Sequence, residues 1–219
     1  MLFDLRGRGR RRTVQAVYLG LAILMGGGLV LFGVGTGTGG GGLLNAFGGG
    51  SSNQGQVLSS DEKAALKEIK QNPNDAQAWA SLAQARWTSA GQGNNFNAST
   101  GQFTASGKKE LTAATQAWQK YVALMRNPNA DVGILAARAY AALGDFANQA
   151  ATWELIARAS PKEAKAFECL AASAYAAKQT RKGDLAAAKA VQLTPKVQRL
   201  TVKTTLQQAK TNPQVAQSC

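Results

Sequence analysis

The sequence predicts an all-α protein in three parts: a transmembrane helix near the N-terminus, a glycine-rich linker and a helical domain. Three observations carry this. An uncharged apolar run follows five arginines, glycine usage falls sharply near residue 60, and the remainder is alanine-rich with prolines at near-regular intervals.

The arginines Arg6, Arg8, Arg10, Arg11 and Arg12 are followed by no charged residue until Asp61. Inside that stretch residues 14–34, VQAVYLGLAILMGGGLVLFGV, hold Gln15 as the one strongly polar side chain. A helix of this length spans about 31 Å at a rise of about 1.5 Å per residue, enough for a hydrocarbon core of about 30 Å. A helix also satisfies its backbone amides within the segment, as lipid requires. The rival reading is a cleaved secretory signal, whose apolar region is usually about 7–15 residues long and ends at an Ala-x-Ala site. Here the run is longer and residues 35–42 contain no such site, so the sequence favours an uncleaved anchor. Residues 1–12 then form a basic cytoplasmic tail and residues 13–34 the span. Basic flanks stay on the cytoplasmic side, which puts the C-terminal domain outside the cytoplasm of a single-pass cell-membrane protein. The arginines also attract anionic lipid headgroups. A nucleic-acid-binding arm is the less favoured reading of RGRGRRR.

Of 24 glycines, 17 fall in residues 1–60. Residues 35–58, which include GTGGGG and GGGSSNQG, have the composition of a flexible tether. From residue 59 glycine is scarce and alanine, leucine, glutamine and lysine dominate, over a length that supports one domain with a core. Its 20 Lys+Arg against 11 Asp+Glu leave a net charge of +9, scattered rather than blocked. Ser59 with Glu62 reads as a capping box that starts the first helix. Asn72-Pro73-Asn74-Asp75 ends that helix and caps the next, and Pro128, Pro161 and Pro195 punctuate later helices.

The spacing within these segments repeats. Trp79, Ile134 and Phe167 each stand six residues after a proline, and Leu82-Ala83 and Leu170-Ala171 follow two of them at matching distances. Pro128 and Pro161 are 33 residues apart, Pro161 and Pro195 are 34 apart. Tyr140, Gly144, Trp153 and Pro161 fall at offsets 11, 15, 24 and 32 of a 34-residue unit. This pattern resembles the tetratricopeptide (TPR) repeat. The resemblance implies about three antiparallel helical hairpins over residues 59–210, with residues 196–210 as a capping helix. Several positions depart from the pattern: Gln149 stands where a small residue is expected, Lys178 where glycine is usual, and Tyr175 is shifted by one. Residues 89–107 lengthen the turn of the first unit into a polar loop, which is either disordered or pinned over the adjacent groove by Phe96 and Phe103.

No histidine is present, no carboxylates form a suggestive pair, and no phosphate-binding or nucleophile motif occurs. Cys169 reads as a buried small hydrophobe and Cys219 as part of a flexible tail, residues 211–219. An extracytoplasmic location permits a disulfide between them without requiring one. Two distant cysteines supply no four-ligand zinc site. No enzymatic activity, cofactor or metal is expected, and function falls to binding.

Stacked hairpins bury a continuous core and expose an extended concave face. By the TPR resemblance the first helix of each pair lines it, with candidate peptide contacts at Gln77, Gln84 and Trp87 in the first unit and Lys165, Glu168 and Tyr175 in the third; Ala80 and Ala172 complete these groove-lining sets, and Val132, Leu135, Ala139 and Ala142 take the same positions in the second unit. In a slipped register Trp87 and Tyr175 are core residues instead. The expected function is a membrane-anchored scaffold or adaptor for a protein or peptide partner, the bilayer being engaged through residues 13–34. The alternative is a basic helical module binding envelope polyanions or nucleic acid. The full-length chain is expected to stay with the membrane pellet in alkaline carbonate, and a chain lacking residues 1–34 to move to the supernatant. Recovery of the intact chain in the supernatant rejects the anchor.

Overall fold

A computed structural model describes residues 53–219, which are all-α apart from one two-stranded ribbon. The predicted span at residues 13–34 lies outside the described residues. Among the described residues no helix is long and apolar enough to cross a membrane. The helices are α1 (Asn53–Gln71), α2 (Ala76–Ala90), α3 (Ala105–Leu124), α4 (Ala130–Leu143), α5 (Phe146–Ala159), α6 (Ala164–Ala176), α7 (Thr180–Leu193), α8 (Arg199–Ala209) and α9 (Gln214–Gln217). From α2 to α8 each packs against the next in sequence, so the chain forms hairpins in series: α2/α3, α4/α5 and α6/α7, with α8 closing the last.

The punctuation acts where it is predicted. The Asp75 carboxylate accepts from the amides of Gln77 and Ala78, Asn129 from Asp131 and Glu163 from Lys165, so the residue at or just beyond each break caps the following helix. The start of α1 differs. It begins at Asn53, inside the stretch assigned to the linker, and runs through Ser59 without using the predicted capping box. No proline interrupts residues 53–71, so nothing forces a helix start at Ser59.

Alanine dominates the interior. Ala78, Ala137, Ala150, Ala171, Ala174 and Ala190 are fully buried, and large side chains such as Leu111, Trp118, Tyr121, Tyr140, Trp153, Ile156 and Tyr175 are spaced between them. Small residues let backbones approach and leave room for one large residue at each crossing. Gly133 shows this: a Cβ there would meet Ile156 Cγ1 at 3.1 Å and Trp118 Cη2 at 3.2 Å. One cluster joins Ala65 of α1 to α2, α3 and α4, and another runs from α4 to the C-terminus. Arg86 of α2 bridges Glu62 of α1 at 2.7 Å and Glu110 of α3 at 2.8 Å, tying the leading helix to the first hairpin.

The inserted loop is ordered. Ser89 and Ala90 complete α2, a 3-10 turn follows at Gly93–Asn95, and β1 (Phe96–Asn97) pairs antiparallel with β2 (Gln102–Phe103), Phe96 opposite Phe103. The two rings stack edge to face at 5.2 Å and Phe103 lies 6.3 Å from Trp87, so the aromatics pin the ribbon to α2. The Asn97 side chain accepts from the amides of Ser99 and Thr100, which closes the turn.

The residues read as a flexible tail also differ. Asn212 Oδ1 accepts from Gln214 N, α9 follows, Ala216 is buried, and Cys219 is disulfide-bonded to Cys169, 50 residues earlier. Nothing local signals this, because the partner sulfur lies on α6.

Gly144 and Lys178 occupy equivalent helix ends. At the first, Asp145 N donates to Tyr140 O, and at the second, Gln179 N donates to Ala174 O. Both caps need the left-handed region: φ is 75° at Gly144 and 62° at Lys178, the one non-glycine residue with positive φ among those described. A side chain in that region costs roughly 1–2 kcal/mol, part of which glycine forfeits through its freer unfolded state. Lys178→Gly is therefore expected to stabilise the domain by about 1 kcal/mol, seen as a higher denaturant midpoint at unchanged slope. A lower midpoint contradicts the strain.

Candidate functional site

The first helices of the hairpins, α2, α4 and α6, followed by α8, present the face on which a ligand is expected. The six predicted contacts do not form one site there. Gln77 and Gln84 are exposed on α2, and Gln84 also supplies its carbonyl to Thr88 Oγ1. Lys165 and Glu168 pair with each other on α6 at 3.7 Å. Trp87 is half-buried against Phe103.

Tyr175 belongs to the core. It is 5% exposed and packs on Gly183 of α7, where a Cβ would lie 2.5 Å from the ring. Its hydroxyl donates to Asp184 Oδ1 at 2.8 Å, and Lys210 Nζ approaches the same oxygen at 2.8 Å while standing 5.2 Å from the ring centroid. The one-residue shift from the repeat pattern thus turns Tyr175 toward α7 and α8. The Lys210 ammonium, with the tyrosine hydroxyl second, holds the Asp184 carboxyl below its ordinary range. Burial, then the hydrogen bond and charge of Asp184, push the Tyr175 phenol well above its usual value. Tyr140 is raised as well, chiefly by burial, against a hydrogen bond from Gln119 that lowers it.

Two features occupy the first-helix face. One is α9, which packs on α4, α6 and α8. Cys169 joins it covalently to α6, and Ala172, a position read as groove-lining, shares a buried cluster with Ala216 and Cys219. Gln149 reaches it from α5: fully buried, it donates from Nε2 to the Ala216 carbonyl at 2.8 Å, while its Oε1 has no partner. That contact explains the departure from a small residue at this position. Ordering a residue costs roughly 1–2 kcal/mol, whereas one such hydrogen bond contributes about 1 kcal/mol net. With only Val215, Ala216 and Cys219 even partly buried in the segment, the disulfide is the dominant hold.

The other feature is a cavity of about 680 Å³ beside the C-terminus, lined by Trp87, Phe103, Lys108, Arg138, Ala142 and Cys219 among others. Lys108 and Arg138 enter no ion pair among the described residues. An aromatic wall facing two free cations suits a carboxylate-bearing segment with an apolar side chain. Of its lining, Trp87 and Ala142 are among the groove-facing positions predicted from the repeat. Lys108 and Arg138 carry no distinguishing sequence signal, and Phe103 is legible only as an apolar residue in a polar loop.

No group of His, Cys, Asp or Glu among the described residues is arranged to hold a metal ion. In comparisons with known proteins, no family model and no curated protein matches the chain.

The raised phenols give a pH dependence. A group whose pKa rises on folding adds stability fully present below its unfolded value, about 10, and lost as pH climbs through the folded value. The domain is thus expected to lose stability above about pH 10, with Tyr175→Phe flattening that loss. Denaturant midpoints measured from pH 8 to 11 check this, and equal slopes for the two proteins reject it.

Proposed function

We propose that the chain is a membrane-tethered TPR-like adaptor that holds a protein partner outside the cytoplasm. The first-helix face takes an extended segment of that partner. The observation that carries this reading is the cavity between Trp87, Phe103, Lys108 and Arg138, which offers flat apolar contact and unpaired positive charge on the face a TPR array uses for peptides. Hairpins stacked in series, the Asn129 and Glu163 caps 34 residues apart and the left-handed ends at Gly144 and Lys178 support the TPR part. The Cys169–Cys219 bond supports the extracytoplasmic part, because such bonds persist in oxidising compartments. The apolar run at residues 14–34 supports the tether.

Polyanion binding is the second reading, favoured by the net +9 of the domain and by an open cleft lined by Lys178, Arg181 and Lys182. Salt separates the two. Binding through 6–10 phosphate contacts falls by about 10³–10⁵ between 50 and 200 mM salt, whereas a groove with two cations loses far less.

The test places a photo-crosslinking amino acid at Gln84 of the full-length chain in intact membranes. Protein adducts are expected, retained at 200 mM salt and reduced about tenfold by Arg138→Glu. Adducts indifferent to Arg138→Glu, or lost with rising salt for a nucleic-acid competitor, overturn the adaptor reading.

A further inference from the structure

The C-terminal segment lies where an adaptor's ligand would lie, so the inference that follows rests on that reading. Its short helix packs on the first helices α4, α6 and α8, and its buried side chains, Ala216 and Cys219, are small. The Ala216 carbonyl accepts from a side-chain amide, the way an array of this kind holds the backbone of a bound peptide. The fit is incomplete, because Gln149 Oε1 is buried without a partner. A segment of extended backbone presents both a carbonyl and an N–H, and would satisfy both ends of that amide.

We propose that residues 211–219 are a replaceable occupant of the first-helix groove, latched by the Cys169–Cys219 bond, and that a dithiol reductant opens the groove to a protein segment with small apolar side chains. A thiolate of the reductant attacks the sulfur of Cys219, a residue 9% exposed where Cys169 is wholly buried. The S–S bond breaks and Cys169 leaves as a thiolate that takes up a proton. The second thiol of the reductant then displaces Cys219, so the protein gains two electrons and two protons and the reductant departs as a disulfide. The freed groove exposes Cys169, Ala172 and the Gln149 amide.

The test compares the oxidised and dithiothreitol-reduced full-length protein in detergent by amide hydrogen exchange, with alkylation of both thiols to verify reduction and circular dichroism to follow helicity. Exchange at residues 211–219 is expected to rise at least tenfold on reduction while α2 and α3 and the helical signal stay unchanged. Protein crosslinks from position 84 of the full-length chain are expected to rise on reduction.

Unchanged exchange after verified reduction, or collapse of helicity, overturns the proposal and makes the segment a fixed staple. Crosslinks from position 84 that are equal in oxidised and reduced protein also overturn the latch and leave the adaptor standing. Release of the segment with no crosslink in either state removes the adaptor reading and leaves release itself established.

Discussion

A hairpin of two alanine-rich helices cannot cover its own apolar faces, and this need for a neighbour governs the whole described domain. Alanine contributes little area per residue, so cohesion depends on close approach of backbones along every helix rather than on a few large contacts. The interior accordingly alternates runs of buried alanine with single large residues such as Trp118 and Trp153. At one end α1 covers the first hairpin through Ala65 and Ile69, and Arg86 ties it there. At the other end α8 and α9 cover the last.

The departures from the 34-residue pattern fall where that cover is locally adapted. Gln149 replaces a small residue because it reaches past its own helix pair to the C-terminal segment. Tyr175, one place late, turns to Gly183 and the Asp184–Lys210 pair, where it joins α6 to α7 and α8. Lys178 keeps the backbone path of Gly144 and accepts the strain of a left-handed conformation. The long first turn folds into a two-stranded ribbon whose phenylalanines rest on Trp87. At Gln149 and Tyr175 the helix keeps its path and the side chain takes on a longer-range contact.

The Gln149 contact and the aromatic ribbon both bear on the first-helix face. The C-terminal segment covers α4 and α6, while Trp87, Phe103, Lys108 and Arg138 frame an open cavity beside it. That face is part covered by its own chain and part open, with Lys108 and Arg138, unpaired among the described residues, at the opening. The bond between Cys169 and Cys219 sets where the boundary lies.

The helices and their limits were legible in the sequence because their causes are local. Asp75 and Asn129 cap helices two or three residues onward, prolines remove donors where they stand, and amphipathic spacing acts within a turn or two. The burial of Leu82, Leu170 and the three packing tryptophans Trp79, Trp118 and Trp153, fully or in part, follows from the same periodicity. The start of α1 was not legible, since a capping box is permissive and the helix runs through it. The site was legible at Trp87 and Ala142 and, as one of two alternatives for the loop, at Phe103. The cavity joins a ribbon, three helices and the C-terminal segment, and the disulfide joins residues 50 apart. Such contacts depend on the accumulated angles of every intervening hairpin, which no short window of sequence contains. Local chemistry therefore determined which residues are helical, and tertiary packing decided which of them share a face, because only the assembled stack brings distant side chains within reach.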